Sequence, residues 1–128
     1  MQNLTHIWPS FIVSDVKVSV AFYTDKLGFE VTYIAPENDP FFAIVARDNI
    51  SIMLKAIAPD IHPIPNHTRH EWARLDAYIH ANDPDGLFDE YSAKGLVFHN
   101  PLRVDSDNLR GFEVKDADGY VLFFGRPV

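Results

Sequence analysis

Apolar and polar positions along the chain pass through the same order of patterns twice. Residues 6–13 alternate imperfectly and read as a strand. Ser14 or Asp15 then offers a short side-chain oxygen to the unpaired amides of a first helical turn. Val16, Val20, Phe22, Tyr23 and Leu27 recur at helical spacing, and Gly28 supplies the left-handed residue that stops the helix. Residues 29–35 read as a strand and 36–40 as a loop. Residues 41–46 and 50–56 form a hairpin turned at Arg47-Asp48-Asn49. The second pass has a strand at 72–81 and a helix at 84–94, with Pro84 in its favoured first-turn place and Gly95 as its stop. A short strand at 96–99, a polar loop at 101–108 and a closing hairpin of 111–115 and 120–126, turned at Asp116-Ala117-Asp118-Gly119, complete it.

Gly28 and Gly95 lie about 67 residues apart, roughly half the chain, which is the mark of an internal duplication. The expected fold class is therefore α+β: two repeated βαβββ modules whose curved mixed sheets surround a cleft. Module one covers about 1–57, a proline-bearing connector about 58–71, and module two about 72–128. Together they are expected to form one domain over 1–128.

Composition narrows the function classes. At 47% hydrophobic and 13% aromatic residues, the chain is too apolar for disorder. No run approaches the roughly 18 apolar residues of a membrane span. Met1-Gln2-Asn3-Leu4-Thr5-His6-Ile7 lacks the basic-then-apolar order of a signal peptide. The absence of cysteine removes disulfides, thiolate metal sites and cysteine nucleophiles, and a cytoplasmic setting is expected. A net charge of −7 opposes nucleic-acid binding and favours cationic or neutral partners.

Phe22-Tyr23-Thr24-Asp25-Lys26-Leu27-Gly28-Phe29 in the first module and Phe112-Glu113-Val114-Lys115-Asp116-Ala117-Asp118-Gly119 in the second resemble the glyoxalase/bleomycin-resistance/dioxygenase superfamily, also called vicinal oxygen chelate. The resemblance spans nearly the whole chain. Pro9 ahead of Ser10-Phe11-Ile12-Val13-Ser14-Asp15, and Arg47-Asp48 ahead of the fourth strand, resemble the drug-binding, bleomycin-resistance branch. That resemblance implies paired modules and a homodimer with clefts at its interface, the segment through Pro9 packing on or exchanging with the partner.

Metalloenzymes of the superfamily place His, Glu or Gln on four cleft-facing strands, converging on a divalent ion with positions left open for substrate. The matching positions fall near Trp8, Met53, Asp76 and Phe123, of which only Asp76 carries a ligating group. His6 shares parity with Trp8, and a one-residue slip would reverse the facing of the strand. His62, His67 and His70 beside Glu71 are interrupted by Pro63 and Pro65 and read as an exposed polar loop. His80 and His99 read as boundary residues. No metal, cofactor or catalytic residue is therefore expected, and no nucleophile elbow or glycine-rich phosphate loop is present.

What remains for the cleft is aromatic and apolar. Tyr33, Phe42, Met53, Tyr78 and Phe112 are expected to line a pocket for a planar, aromatic or cationic small molecule, with Asp76 and Arg110 as its orienting charges, paired with each other or awaiting a ligand. Trp8 and Phe123 are expected to face inward with them. Asp105 and Asp107 read as a solvated loop that could meet a cation, and Lys55 brings a positive charge to the fourth strand. Two alternatives remain. One is a metal-dependent glyoxalase-like lyase or isomerase or a ring-cleaving dioxygenase, if His6, Asp76 and a connector histidine converge. The other is a ligand-free scaffold, if the cleft is filled by its own side chains.

Overall fold

Asp15, rather than Ser14, caps the first helix: its carboxylate accepts from the amides of Lys17 (2.9 Å) and Val18 (3.4 Å). The helix α1 (Val16–Leu27) buries Val16, Ser19, Tyr23 and Leu27, a stripe at three- and four-residue spacing. Val20 and Phe22 are only half-buried at its edge. Gly28, at φ 72°, turns the chain out, and its amide donates to the Tyr23 carbonyl. Arg47 closes the same helix end with a 2.9 Å bond to the Leu27 carbonyl.

The computed structural model describes all residues from Met1 to Val128. The chain forms two compact units, Met1–His62 and Pro63–Val128. The first holds β1 (Ser10–Ile12), α1, β2 (Glu30–Ala35), β3 (Phe42–Arg47) and β4 (Ile50–Lys55). Its sheet runs β1-β4-β3-β2, with β1 parallel to β4 and the other pairs antiparallel. The second holds a single 3-10 turn (Asn66–Thr68), β5 (Ala77–His80), α2 (Pro84–Ala93), β6 (Asn100–Val104), β7 (Leu109–Lys115) and β8 (Val121–Pro127). Its sheet runs β5-β8-β7-β6, with β5 parallel to β8. The identical order and sense of pairing is the structural form of the sequence duplication, and the α+β fold of two βαβββ modules is as expected.

Each helix covers one face of its own sheet. Under α1 lie Phe11, Ala43, Val45, Ile52 and Leu54, all buried. Under α2 lies an aromatic core. Phe112 stacks on Phe124 at 5.4 Å and meets Tyr91 and Phe98 edge-on. Each such ring contributes about 1.5–3 kcal/mol by leaving water.

Three elements differ from the sequence expectation. The first strand is Ser10–Ile12 rather than 6–13, because Pro9 has no amide to continue the ladder. The fifth is Ala77–His80 rather than 72–81, because the chain turns at Trp72–Arg74, where Ala73 and Arg74 donate to the carbonyls of His70 and Trp72. The short strand expected at 96–99 instead occupies Asn100–Val104, mostly in the segment 101–108 that reads as a loop. That strand is an edge with a register break between Asn100 and Arg103, the setting in which a proline such as Pro101 is tolerated.

Gly111 and Gly125 face each other across β7 and β8. A Cβ on either would meet the Phe123 ring at 2.6 Å and backbone oxygen of the opposite strand. We expect Gly125→Ala to destabilise the protein by about 3 kcal/mol in urea unfolding, as an overpacked sheet. Gly95→Ala, at φ 75° with open space around it, should lose only about 1 kcal/mol. Equal losses at the two sites would contradict the packing account.

Candidate functional site: the open sheet faces

Strand alternation sends every second side chain to the sheet face away from its helix. In the first module that open face carries Tyr33, Phe42, Ile44, Met53 and Lys55, because Phe42 pairs with Lys55 and Ile44 pairs with both Tyr33 and Met53. Tyr33 reaches this face through a register shift between Val31 and Tyr33. The Tyr33 and Phe42 rings lie 6.0 Å apart. Phe42 and Met53 are half-buried, whereas Tyr33 is 54% exposed. Trp8, outside the strands, stacks on His6 at 5.2 Å.

In the second module Tyr78 pairs with Phe123 across β5 and β8, Phe123 with Glu113 across β7, and Glu113 with Asn100 across β6. These four form one row on the open face. Tyr78 stacks on Phe123 at 5.3 Å and 21°, and is 46% exposed while Phe123 is buried beneath it. The Gly111–Gly125 pair makes room for the Phe123 ring.

Phe112 is a correction. It was expected beside Tyr78, yet it lies on the helix side, 1% exposed in the aromatic core. The register explains why. Phe112 pairs with Phe124 and Glu113 with Phe123, so Phe112 and Phe123 cannot share a face of this unbulged pair. The residue that β7 offers to the open face is Glu113.

The two expected orienting charges are also placed differently. Asp76 and Arg110 do not pair with each other. Asp76 accepts from the amides of Asn66 (2.9 Å) and Val121 (2.8 Å), tying the end of the connector to β8. Arg110 points to the helix side and makes a two-pronged pair with Asp85 of α2, at 2.8 and 2.7 Å. That pair raises the Arg110 pKa and lowers that of Asp85.

The polar group that does stand on the open face was missed in the sequence. Glu113, its side chain 3% exposed, accepts a short hydrogen bond from Arg74 and a 2.7 Å bond from Asn100. Arg74 also lies 3.5 Å from both Asp105 and Asp107. Its pKa is raised, chiefly by the Glu113 bond. His99 sits 3.9 Å from Glu113, and its pKa is pushed down by burial and by Lys115, with Glu113 opposing. The available signal was Glu113 itself, a charge between buried Phe112 and Val114, which has to leave the helix side.

Asp105 and Asp107 are not simply a solvated loop. Asp105 is buried and accepts from the amides of Asp107 (2.9 Å) and Leu109 (3.1 Å). Two of the three connector histidines are likewise engaged: His67 donates to the Gly119 carbonyl at 3.0 Å, and His70 accepts from the Trp72 amide at 3.1 Å. No three His, Asp or Glu side chains come together to hold a metal ion. The positions matching the superfamily's ligands carry the indole of Trp8, the thioether of Met53, the ring of Phe123 and an Asp76 carboxylate occupied by two amides. These residues do not fit a divalent-metal centre of the superfamily kind. A recess of about 510 Å³ near the start of α1, bordered by Asp15, Lys17, Asp39 and Phe41, contains none of the expected site residues. No helix is long and apolar enough to cross a membrane.

Two four-stranded mixed sheets of this order, each with one helix, define the fold class. The Glyoxalase/Bleomycin resistance protein/Dioxygenase superfamily model matches residues 4–124, and the chain belongs to that superfamily. No curated protein matches it. Among solved structures it is similar to TioX from Micromonospora sp. ML1, with a TM-score of 0.74 and 19% identity over 97% of this chain and 99% of that one. It is similar to the bleomycin-binding protein of bleomycin-producing Streptomyces verticillus complexed with copper(II)-bleomycin, with a TM-score of 0.71 and 23% identity over all of both chains. TnmS3, an antibiotic binding protein from Streptomyces sp. CB03234, gives 0.71 and 19%, again over all of both chains.

Two outcomes follow from the charges. Asp76→Ala, which strands two amides, should destabilise by about 2 kcal/mol in urea unfolding without changing Tyr78 exposure. Asp105 has a lowered pKa: burial raises it, but the two amides and Arg74 outweigh burial. Its folded form is thus the stronger acid, and the stability it contributes is complete above the ordinary value of 3.8 and fades as pH falls through the lower folded value. Asp105→Asn should therefore flatten the acid limb of the stability–pH curve below about pH 4. An unchanged acid limb would contradict this.

Proposed function

We propose that this protein binds a small planar or amphipathic molecule and sequesters it without turnover, in a cleft at a homodimer interface, in the manner of a drug-binding member of its superfamily. The observation that carries the reading is Tyr78, a half-exposed ring held flat on buried Phe123. Burial of one ring beneath it holds Tyr78 in place, so a second flat ring stacking on it loses little conformational entropy. Tyr33, Phe42 and Met53 on the open face of the first sheet are the remaining ligand contacts. Met53 is an adaptable one, since its unbranched thioether fits irregular shapes.

Sequestration asks only for contact area and exclusion of water, so it needs no nucleophile, general base or metal. The names of the bleomycin-binding protein and TnmS3 support the reading at the level of ligand class. The single-domain organisation is part of the proposal, as is a cytoplasmic setting. The dimer is supported by the N-terminal segment, in which Leu4 and Ile7 are almost fully exposed while the Pro9 carbonyl is held by the Met53 amide at 3.0 Å. A partner subunit would cover those apolar side chains.

A thermal-shift screen of planar aromatic compounds tests this. A ligand at one hundred times its Kd adds about 2.7 kcal/mol, a rise of roughly 10 °C for a chain of this size. Tyr78→Ala and Phe42→Ala should each abolish the rise while retaining a cooperative transition. Hits that stabilise both variants as much as wild type would place binding elsewhere. Sedimentation at micromolar concentration should show a dimer, and removal of residues 1–8 should shift it to monomer. A wild-type monomer would remove the interface from the proposal.

A further inference from the structure

The lysine that ends β4 has no partner in the fold. Lys55 is exposed, and its ammonium makes no ion pair, hydrogen bond or ring contact with the rest of the chain. Register fixes where it stands. It shares one row of the first open face with Ile12 of β1 and Phe42 of β3, and the next row carries Met53, Ile44 and Tyr33. Neighbours within a row are about 5 Å apart, and successive rows roughly 7 Å. Lys55 is the one charged side chain in these two rows. The one acidic strand residue of this face, Glu30, pairs with Ala46, two rows beyond Phe42. That separates it from Lys55 by roughly 16 Å, well past the screening length of about 8 Å at physiological salt. On the second sheet, by contrast, the acids of the open face are paired with Arg74. The first face thus presents a positive charge without a counterion, on a chain whose net charge is −7.

A lone surface lysine is ordinary where water and polar side chains surround it. Around Lys55 the side chains are apolar. Ile12 is 37% exposed, and Phe42, Ile44 and Met53 are half-buried. A molecule laid over these rows takes water away from the ammonium. That strengthens its attraction for an anion, penalises a second cation, and leaves a neutral guest beside a poorly solvated charge. A ring resting on Phe42 and Met53 brings a substituent at its edge within reach of the four-carbon stem of Lys55.

We propose that the open face of the first sheet selects aromatic carboxylates, with the ring on Phe42, Met53 and Tyr33 and the carboxylate on the ammonium of Lys55. The inference rests on the reading of the open faces as ligand surfaces and adds the charge of the ligand. That charge is opposite in sign to the partner favoured by the chain as a whole, because a contact of a few ångströms outweighs distant acids that salt screens. A lysine suits such a role. Its compact charge and flexible stem follow a carboxylate over a range of positions, so rings of different size can rest on the same face.

The test is a titration of protein carrying 13C-methyl methionine with 2-naphthoate, its neutral isostere 2-naphthamide and the cationic 2-naphthamidinium. Met53 and Met1 are the only methionines, so the Met53 methyl reports the first face, and the Tyr78 ring reports the second. All three compounds should move the Met53 methyl. 2-Naphthoate should bind at least threefold more tightly than 2-naphthamide, the scale of one partly shielded ion pair, and 2-naphthamidinium should bind most weakly. Lys55→Gln should erase the preference for the anion, Lys55→Arg should keep it, and raising salt to about 1 M should narrow it. No preference in the wild type, or a preference that survives Lys55→Gln, would overturn the anion site; the planar-ligand reading stands in that case as long as the Met53 methyl moves. Shifts at Tyr78 alone would likewise remove the anion site and leave that reading. If no compound moves either signal, both fall.

Discussion

The unbulged antiparallel pairing of β7 and β8 is the constraint on which the second module depends. It sets Phe112 opposite Phe124 and Glu113 opposite Phe123. The first pair closes the aromatic core under α2, and the second forms the open face. A one-residue slip of β7 would drive Glu113 among Tyr91 and Phe98 and lift Phe112 into the open, which no local adjustment could offset. Gly111 and Gly125 protect this register from the open side, since only residues without a Cβ let the Phe123 ring lie across both strands. Tyr78 then has a flat, buried surface to stack on, and the exposed ring central to the functional reading follows from the pairing.

Charge placement obeys the same economy. The carboxylate of Asp76 is occupied by two backbone amides, that of Asp85 by Arg110, and that of Glu113 by Arg74 and Asn100. Two of these arrangements are structural: Asp76 fastens the connector to β8, and Arg110 fastens α2 to β7. The third lies on the open face of the second sheet, where Arg74 also pairs with Asp105 and Asp107.

Most of the architecture was legible in the sequence because it rests on local signals. Asp15, Gly28, Pro84 and Gly95 mark helix ends by their own conformational preferences, and the two tight turns mark the hairpins. The edge strand β6 was not legible. Pro101 and Arg103 look like loop chemistry, and only pairing with β7 makes them strand. The site was legible in part, because facing depends on register. Tyr33 comes to the open face through a register shift that no single residue announces. Phe112 was misplaced because inward facing was assigned strand by strand. Counting across the Asp116–Gly119 turn would have put Phe112 with Phe124 and Glu113 with Phe123. The Arg74 cluster joins residues some forty positions apart, and no sequence pattern carries it.

The proposed sequestration predicts that a small molecule rests on the rings of the open faces and leaves them unaltered. Intermolecular nuclear Overhauser effects between the protein and the most stabilising planar compound from the screen test this directly. Contacts from the ligand ring to the rings of the open faces, Tyr78 first among them, and recovery of the unaltered compound after prolonged incubation, are the predicted result. Contacts confined to the recess beside Asp15, Asp39 and Phe41, or conversion of the compound to a product, would contradict it.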